Sequence, residues 1–291
     1  ANLTAAQIAV AETRDIAGWS ADHVKALTTA QVVGMTQTQV ASLSADQLSG
    51  LTSEQMAVLE TADLVSLSAA QYAGLQSDQL RALTDTQIQA IETRDINALS
   101  QEQISTLRNT QIAALSTLQM SKMASQQLTG MTTVQLQAIA TDDIAVLETA
   151  NIRALGESMS VFTSGQVTQL QSQQIRALSS DQVSIMGSDQ LRAMSTDQLG
   201  YFQSTQIAGL QAEQLNTIKT EQVAALTSSF LVTLSSDQIS NLSTAQLVAI
   251  TSAQIPTIES RDWASLTSDQ IQAVSIEQKT ALLPDTISAI P

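Results

Sequence analysis

The residues that could carry out chemistry in this 291-residue chain are few. There is no cysteine and one histidine, His23, so a thiolate nucleophile, a thiolate zinc site and a histidine-based catalytic triad are excluded within one chain. The densest acidic pair, Asp142 and Asp143, lacks the alternating Asp/Asn, the Gly and the final Glu of a calcium-binding loop. We therefore expect no enzyme activity, no cofactor, and no metal binding beyond weak binding of calcium at the surface.

The charge balance disfavours negatively charged partners. The chain has 27 acidic and 12 basic residues, a formal net charge of -15, which disfavours binding to nucleic acid or to an anionic membrane surface. It has no long apolar run, so we expect no insertion into a membrane. Aromatic residues make up 2% of the chain, which is unlike the core of an ordinary globular enzyme.

A repeat of eight residues predicts the secondary structure that positions these residues. From Thr4 the unit reads Ser/Thr, any, any, Gln, Ile/Leu/Val, any, small, Leu, and it continues with few lapses over 4 to 290. There are 36 units, of which one, at 156–162, has seven residues; Gln fills the fourth position in 26 units and Ser or Thr the first in 20. This regularity predicts a repeat architecture rather than an enzyme domain.

Each octad predicts one short α-helix with its own start signal. A single continuous helix would rotate its apolar stripe by about 80° at every octad, so no neighbour could follow the stripe. Ser or Thr followed three residues later by Gln is a capping box, in which the hydroxyl accepts from a helical N–H and the Gln amide reaches back to the N–H of the cap residue. The first glutamines that we predict to have this structural role are Gln7, Gln31, Gln39, Gln47 and Gln55.

The predicted fold is an all-α solenoid of short capped helices, continuous over 1–291. A helix of five or six residues does not persist alone, so each helix depends on its neighbours to bury the fifth and eighth positions. We expect pairs of octads to form 16-residue antiparallel layers. The alternative is a β-solenoid, which the abundance of Ala, Leu and Gln disfavours.

Several units depart from the pattern. The segments 12–16, 92–96 and 259–263 begin with Glu and carry Asp at the fourth position, here called the Gln position. These units are either charged binding sites or helices that Thr or Ser caps one residue later, at Thr13, Thr93 and Ser260. His23 also occupies a Gln position, and we interpret it as a replacement for the capping amide. The seven-residue unit at 156–162 shifts the register and is either a hinge or a harmless deletion.

Four arginines share the sixth position of their octads. They are Arg81, Arg153, Arg176 and Arg192. A repeated cation at one position of a solenoid is a candidate for a binding surface, because interfaces are enriched in Arg. We predict these four residues as a partner-binding set.

Segments such as 83–91 and 242–250 resemble the "LTTAQIAAL" octad arrays of very large secreted or surface-bound bacterial proteins. Those proteins are commonly labelled as exoproteins of heme utilisation or adhesion, and similar arrays as hook-length-control-like. The resemblance implies an extracellular or cell-surface location and a structural or adhesive role. Heme binding is not expected, because His23 is the sole histidine.

The function predicted is non-enzymatic: an extended spacer or scaffold within a secreted or surface-bound bacterial adhesin or matrix protein. The alternatives are a binding solenoid that recognises a protein or glycan along one face, and a protein that self-associates through its solenoid ends into filaments or sheets.

Overall fold

The computed structural model describes residues 3–282, and these residues form short helices and no strand. The all-α class is therefore confirmed, and the β-solenoid alternative is wrong for this part of the chain. The last predicted octad, 283–290, lies outside the described residues. The chain divides into two compact units, Ala1–Leu147 (unit 1) and Glu148–Pro291 (unit 2). The single continuous array over 1–291 stays a prediction.

Unit 1 contains helices of four to six residues, one in each octad. They are α1 (Ala5–Ala9), α2 (Thr13–Ala17), α3 (Ala21–Lys25), α4 (Thr29–Val33), α5 (Gln37–Ser42), α6 (Ala45–Ser49), α7 (Ser53–Ala57), α8 (Thr61–Val65), α9 (Ala69–Gly74), α10 (Ser77–Ala82), α11 (Asp85–Ala90), α12 (Thr93–Ile96), α13 (Gln101–Thr106), α14 (Asn109–Ala113), α15 (Thr117–Ser121), α16 (Ser125–Thr129), α17 (Thr133–Ala138) and α18 (Thr141–Ile144).

Unit 2 continues the same pattern, with two 3₁₀-helices at Gly156–Val161 and Ile255–Thr257. Its α-helices are α19 (Thr149–Ala154), α20 (Ser164–Thr168), α21 (Ser172–Ala177), α22 (Ser180–Ser184), α23 (Ser188–Ala193), α24 (Thr196–Gly200), α25 (Ser204–Gly209), α26 (Ala212–Thr217), α27 (Thr220–Ala224), α28 (Ser228–Leu231), α29 (Ser236–Ser240), α30 (Thr244–Ala249), α31 (Ser260–Trp263), α32 (Ser268–Ala273) and α33 (Ile276–Thr280).

The helices begin where the capping box predicts. At α6 the cap residue Ser44 has extended backbone angles (φ −68°, ψ 162°), and its hydroxyl accepts from the N–H of Gln47. The Gln47 side chain in turn accepts from the N–H of Ser44 at 2.8 Å. Both halves of the box are formed, so each octad carries its own helix start.

The apolar core is built from the fifth and eighth positions. In the octad of α6 these are Leu48 and Leu51, which are 0% and 4% exposed. The fourth position is buried with them, since Gln47 is 4% exposed. Most octads contribute two apolar side chains and one amide to the interior in this way, and they leave the second, third and sixth positions outside or half-buried.

Helices pack against the helix three octads away, not against the next one. In unit 1, α6 packs against α3 and α9, and α10 packs against α7 and α13. In unit 2, α22 packs against α25. Since Gln side chains also bond to residues 28 and 31 positions earlier, one turn of each solenoid takes between three and four octads. The predicted 16-residue layer is therefore wrong, because the helices that pack together are three octads apart and not two.

Small residues at the seventh position allow neighbouring turns to come close. A Cβ atom added to Gly50 would lie 2.4 Å from the carbonyl oxygen of Ala21, three octads earlier. No side chain fits there without movement of the backbone. The close approach of the two turns therefore depends on the small side chain.

The seven-residue unit keeps its place in the core in spite of the missing residue. It forms the 3₁₀-helix Gly156–Val161, and Met159 and Phe162 are 0% and 3% exposed, as the two apolar positions of an octad are. Gly156 has a φ of 51°, in the left-handed region that favours glycine. The hinge predicted at 156–162 stays a prediction.

The prediction that Thr13, Thr93 and Ser260 cap their helices is wrong. The cap residue of α2, α12 and α31 is the preceding glutamate, and its side chain makes no cap hydrogen bond. Each of these glutamates instead forms an ion pair with the arginine two residues later, at 2.9–3.0 Å. In these three units an ion pair at the surface stands where most other octads have a capping hydrogen bond.

Candidate functional site

The Gln position carries the most extensive set of side-chain contacts in the described residues. Besides its capping bond, the Gln47 amide donates through Nε2 to the carbonyl oxygens of Ile16 (2.9 Å) and Trp19 (2.7 Å) in the preceding turn. The same pair of bonds, 31 and 28 residues back, recurs in unit 2, where Gln238 donates to Ile207 (2.9 Å) and Leu210 (2.7 Å). One amide therefore ties the start of its own helix to the end of a helix one turn away.

The predicted structural glutamines occupy this position with different burial. All five form the capping box: Gln7, Gln31, Gln39, Gln47 and Gln55. Gln39, Gln47 and Gln55 are buried and donate to carbonyls of the preceding turn. Gln31 is half-buried and donates to the Leu3 carbonyl, whereas Gln7 is exposed.

The octad pattern did not lead us to predict the hydrogen bond between turns, although the sequence contains a signal for it. Gln is more constant than the cap hydroxyl, with 26 units against 20. The structure supplies the reason, because the cap N–H is still satisfied where the hydroxyl is absent: at Gly187, the N–H donates to Gln190 Oε1 at 2.8 Å. The hydroxyl caps its own helix only, whereas the amide bonds both to its own helix and to a helix of the preceding turn.

His23 replaces the capping amide, as we predicted from its place at a Gln position. Its Nδ1 accepts from the N–H of Ser20 at 3.0 Å, and the imidazole is exposed. An unprotonated Nδ1 is the acceptor in this bond, so the imidazole reproduces the Oε1 half of the Gln contact.

The arginines fall into two groups. Four of them are paired with carboxylates: Arg14, Arg94, Arg108 and Arg261. The four at the sixth position, Arg81, Arg153, Arg176 and Arg192, are exposed, and no carboxylate of residues 3–282 lies within ion-pair distance of them. In a chain of net charge -15, these four arginines have no carboxylate partner among the described residues, and the same holds for the four lysines.

The structure brings two of these arginines onto neighbouring helices. Arg153 lies on α19, which packs against the helix α21 that carries Arg176. The Nε of Arg153 donates to the Ala177 carbonyl at 3.3 Å, and the Arg176 guanidinium lies 5.7 Å from the centre of the Tyr201 ring, a cation–π distance. We call Arg153, Arg176 and Tyr201 the arginine–tyrosine row. Tyr201 was not predicted, although it is one of only two tyrosines in the chain.

The other two arginines lie elsewhere. Arg192 is on α23, which packs against α20 and α26, and Arg81 is on α10 in unit 1. The carbonyl of Arg81 accepts from Arg108 Nε at 3.2 Å, and Arg108 is itself paired with Asp85. The four arginines therefore share a position in the repeat, but the structure places only Arg153 and Arg176 on helices that pack together.

An open groove of about 370 Å³ borders the arginine–tyrosine row in unit 2. Polar groups of Gln171, Ser172, Ser195 and Asp197 line it together with the Tyr201 ring. A polar lining next to an aromatic face can orient a ligand that has both hydroxyl groups and an apolar face.

Three copies of the Glu-Thr/Ser-Arg-Asp motif place their Asp in three different environments. The Asp15 side chain is 63% exposed, whereas those of Asp95 and Asp262 are 0% and 3% exposed. Asp262 Oδ1 accepts from the hydroxyl of Ser236 at 2.7 Å. Both carboxylate oxygens of Asp95 are buried without a hydrogen-bond partner. One motif therefore yields an exposed, a satisfied and an unsatisfied carboxyl group.

Burial raises the pKa of Asp95, an effect that Arg94 opposes and Glu92 reinforces. The pKa values of Asp63 and Asp143, at other Gln positions of unit 1, are also raised by burial. Tyr72, on the helix α9 that packs against α12, has its pKa raised by burial and by the negative charges of Asp95 and Glu92.

Tyr72 supplies one of the two hydrogen bonds between turns that a Gln at position 95 would donate. A Gln there would donate to the carbonyls 31 and 28 residues back, those of Leu64 and Leu67. Instead the Tyr72 hydroxyl donates to the Leu64 carbonyl at 2.8 Å. The Leu67 carbonyl has no amide donor of the kind that Leu75, one octad later, receives from Gln103 at 2.8 Å.

The described residues offer few other sites. No group of three or more His, Asp or Glu side chains in residues 3–282 is placed to hold a metal ion. None of the helices in that range has both the length and the apolar character that crossing a membrane requires. An open hollow of about 740 Å³ in unit 2 is lined by the 3₁₀ segment at Pro256 and by the Glu259–Arg261 ion pair.

Comparison with known families agrees with the octad register. The family model described as the ALTTAQ repeat matches the chain four times, over residues 8–45, 56–93, 88–125 and 159–196. Each match starts at an apolar fifth position, and together they cover just over half of the chain. No curated protein matches the sequence.

Proposed function

The chain belongs to the ALTTAQ repeat family, and we propose that it is a non-enzymatic structural segment, an extended spacer or scaffold in a secreted or surface-bound bacterial adhesin or matrix protein. The observation that carries this proposal is the Gln ladder, in which buried amides join turn to turn in both units. A solenoid held together by nearest-neighbour contacts can be lengthened by whole repeats without loss of its core. That property suits a spacer.

The distribution of side chains supports a structural role further. The repeated polar side chain, Gln, is used internally, and its donors and acceptors are satisfied by backbone groups. Reactive side chains are scarce and are not gathered in the described residues. We propose on these grounds that the protein needs no cofactor and has no catalytic activity.

Small-angle X-ray scattering over a concentration series, with and without calcium, tests the spacer proposal. A compact domain of this length has a radius of gyration of about 19 Å. A spacer requires a clearly larger value that does not change with concentration, together with a helical circular dichroism spectrum. A value near 19 Å overturns the proposal, whereas growth with concentration or calcium replaces it with self-assembly.

A second function, binding of a protein or glycan along one face, is favoured by the arginine–tyrosine row. Arg153 and Arg176 are uncompensated cations, and Tyr201 presents a ring beside a polar groove. We expect Arg176→Gln, together with Arg153→Gln, to lower adhesion of the protein to bacterial cells or matrix several-fold, with Arg81→Gln as the control in unit 1. Unchanged adhesion in the double variant removes the reason for this second function.

A further inference from the structure

The clearest anomaly among the buried groups is the carboxyl group of Asp95. Both of its oxygens are shielded from solvent and lack a hydrogen-bond partner, in a position that an amide occupies in most octads. An amide at that position is a donor to the preceding turn, and a carboxylate is not. The charged form of Asp95 therefore has no proton to donate to the preceding turn, and the charged group within ion-pair distance of it is the Arg94 guanidinium.

The missing donor has a defined acceptor. Glutamines at the flanking Gln positions donate to carbonyls 28 residues back, Gln87 to Leu59 at 2.8 Å and Gln103 to Leu75 at 2.8 Å. The counterpart for Asp95 is the Leu67 carbonyl. The other carbonyl of the pair, that of Leu64, is already occupied by the Tyr72 hydroxyl. One vacant acceptor and one potential donor thus lie at the same junction between turns.

We propose that Asp95, when protonated, forms a hydrogen bond that joins two turns of unit 1. In the uncharged carboxyl group, the O–H donates to the Leu67 carbonyl, as the Gln amide does elsewhere in the ladder. Asp is one methylene group shorter than Gln, so the bond requires α12 to approach the preceding turn by about one C–C bond length, roughly 1.5 Å. Protonation tightens the junction, and ionisation loosens it.

The surrounding charges are consistent with this role. On its own segment, Asp95 faces Arg94, whose Nε lies 3.5 Å from Oδ2, and Glu92, with which Arg94 is also paired at 2.9 Å. From α9, the Tyr72 hydroxyl approaches, and the helix α15 on the other side carries no ionisable side chain. Arg94 is shared between two acids and is 68% exposed, so it compensates Asp95 only in part.

The sign of the effect follows from the pKa of Asp95, which burial raises above its ordinary value of 3.8. The folded state holds the proton more tightly than the unfolded state does. The contribution of Asp95 to stability is therefore fully present below the ordinary pKa, and it is lost as the pH rises through the raised pKa. Unit 1 is expected to gain turn-to-turn stability from this group as the medium becomes acidic.

The test compares Asp95→Asn with Asp15→Asn in the full chain. The Asn amide is a permanent donor of the same length as protonated Asp, and Asp15 belongs to the same motif with an exposed side chain. Urea unfolding is followed by circular dichroism from about pH 3 to pH 8. We expect Asp95→Asn to favour the folded state by about tenfold relative to wild type at pH 8, a difference that disappears at about pH 3, below the ordinary pKa of 3.8. Asp15→Asn is expected to follow wild type throughout.

Asp262→Asn is a second control, because Asp262 is buried but its charged form accepts the Ser236 hydroxyl. Carboxyl-carbon NMR of wild type, with the Asp95 signal assigned from its absence in the Asn variant, provides an independent readout. Titration of Asp95 clearly above the ordinary value of 3.8 supports the proposal. Titration of Asp95 at that ordinary value, or a difference between wild type and Asp95→Asn that does not change with pH, overturns it.

Discussion

Removal of one buried amide from the ladder should destabilise the protein more than removal of the cap hydroxyl beside it. Gln119 is 1% exposed; its Oε1 accepts from the N–H of Ser116 at 2.7 Å, and its Nε2 donates to Ile88 (2.9 Å) and Ile91 (2.7 Å) in the preceding turn. Gln119→Met keeps the length of the side chain and removes these three bonds, together with the bond that Oε1 accepts from the Ser116 hydroxyl at 3.0 Å. The substitution therefore separates packing from hydrogen bonding at this position.

The magnitude follows from which groups lose their partner. The Ile88 carbonyl still accepts from the N–H of Ile91 at 3.2 Å, whereas the Ile91 carbonyl and the N–H of Ser116 lose their side-chain partner. A buried polar group left without a partner costs about 1–3 kcal/mol, so we expect Gln119→Met to lower the free energy of unfolding by about 3 kcal/mol. Ser116→Ala removes only the cap hydroxyl and is expected to cost about 1 kcal/mol.

Urea unfolding followed by far-ultraviolet circular dichroism at neutral pH measures both variants. Gln119→Glu adds a third arm, because it keeps the acceptor for the Ser116 N–H but places a carboxylate against two carbonyls. We expect it to be less stable than Gln119→Met at neutral pH and to recover on acidification. Equal losses in Gln119→Met and Ser116→Ala would refute the reasoning, since the capping bond alone would then account for the whole effect.

Two further substitutions test the packing between turns. Tyr72→Phe removes the hydroxyl that donates to the Leu64 carbonyl, and we expect a loss of about 1–2 kcal/mol in urea unfolding; a loss within experimental error contradicts the compensating role. Gly50→Ala places a Cβ atom 2.4 Å from the Ala21 carbonyl oxygen, and we expect a loss of about 1–3 kcal/mol, measured by thermal unfolding; Gly187→Ala, whose Cβ would meet only Gln190 Oε1 at an ordinary contact distance of 3.9 Å, is the control.

Much of the local structure was predictable, because its determinants lie within eight residues. The capping box at Ser44 and Gln47 depends on residues three apart, and the apolar face at Leu48 and Leu51 depends on the same spacing. Such contacts join residues within one helical turn, so their positions follow from the octad even though the helix itself persists only when its neighbours pack against it. The helix starts and the buried positions were therefore set by the sequence alone, and the match to the ALTTAQ repeat is in the same register.

The contacts between turns were decided by the tertiary structure. The number of octads per turn depends on the change of chain direction between successive helices, which no single octad encodes. That number places Gln47 beside the carbonyl of Trp19, Tyr72 beside that of Leu64, and Arg176 over Tyr201. It also determines whether the Asp of one four-residue motif is exposed, satisfied or buried without a partner, because burial is a property of the neighbouring turn and not of the motif.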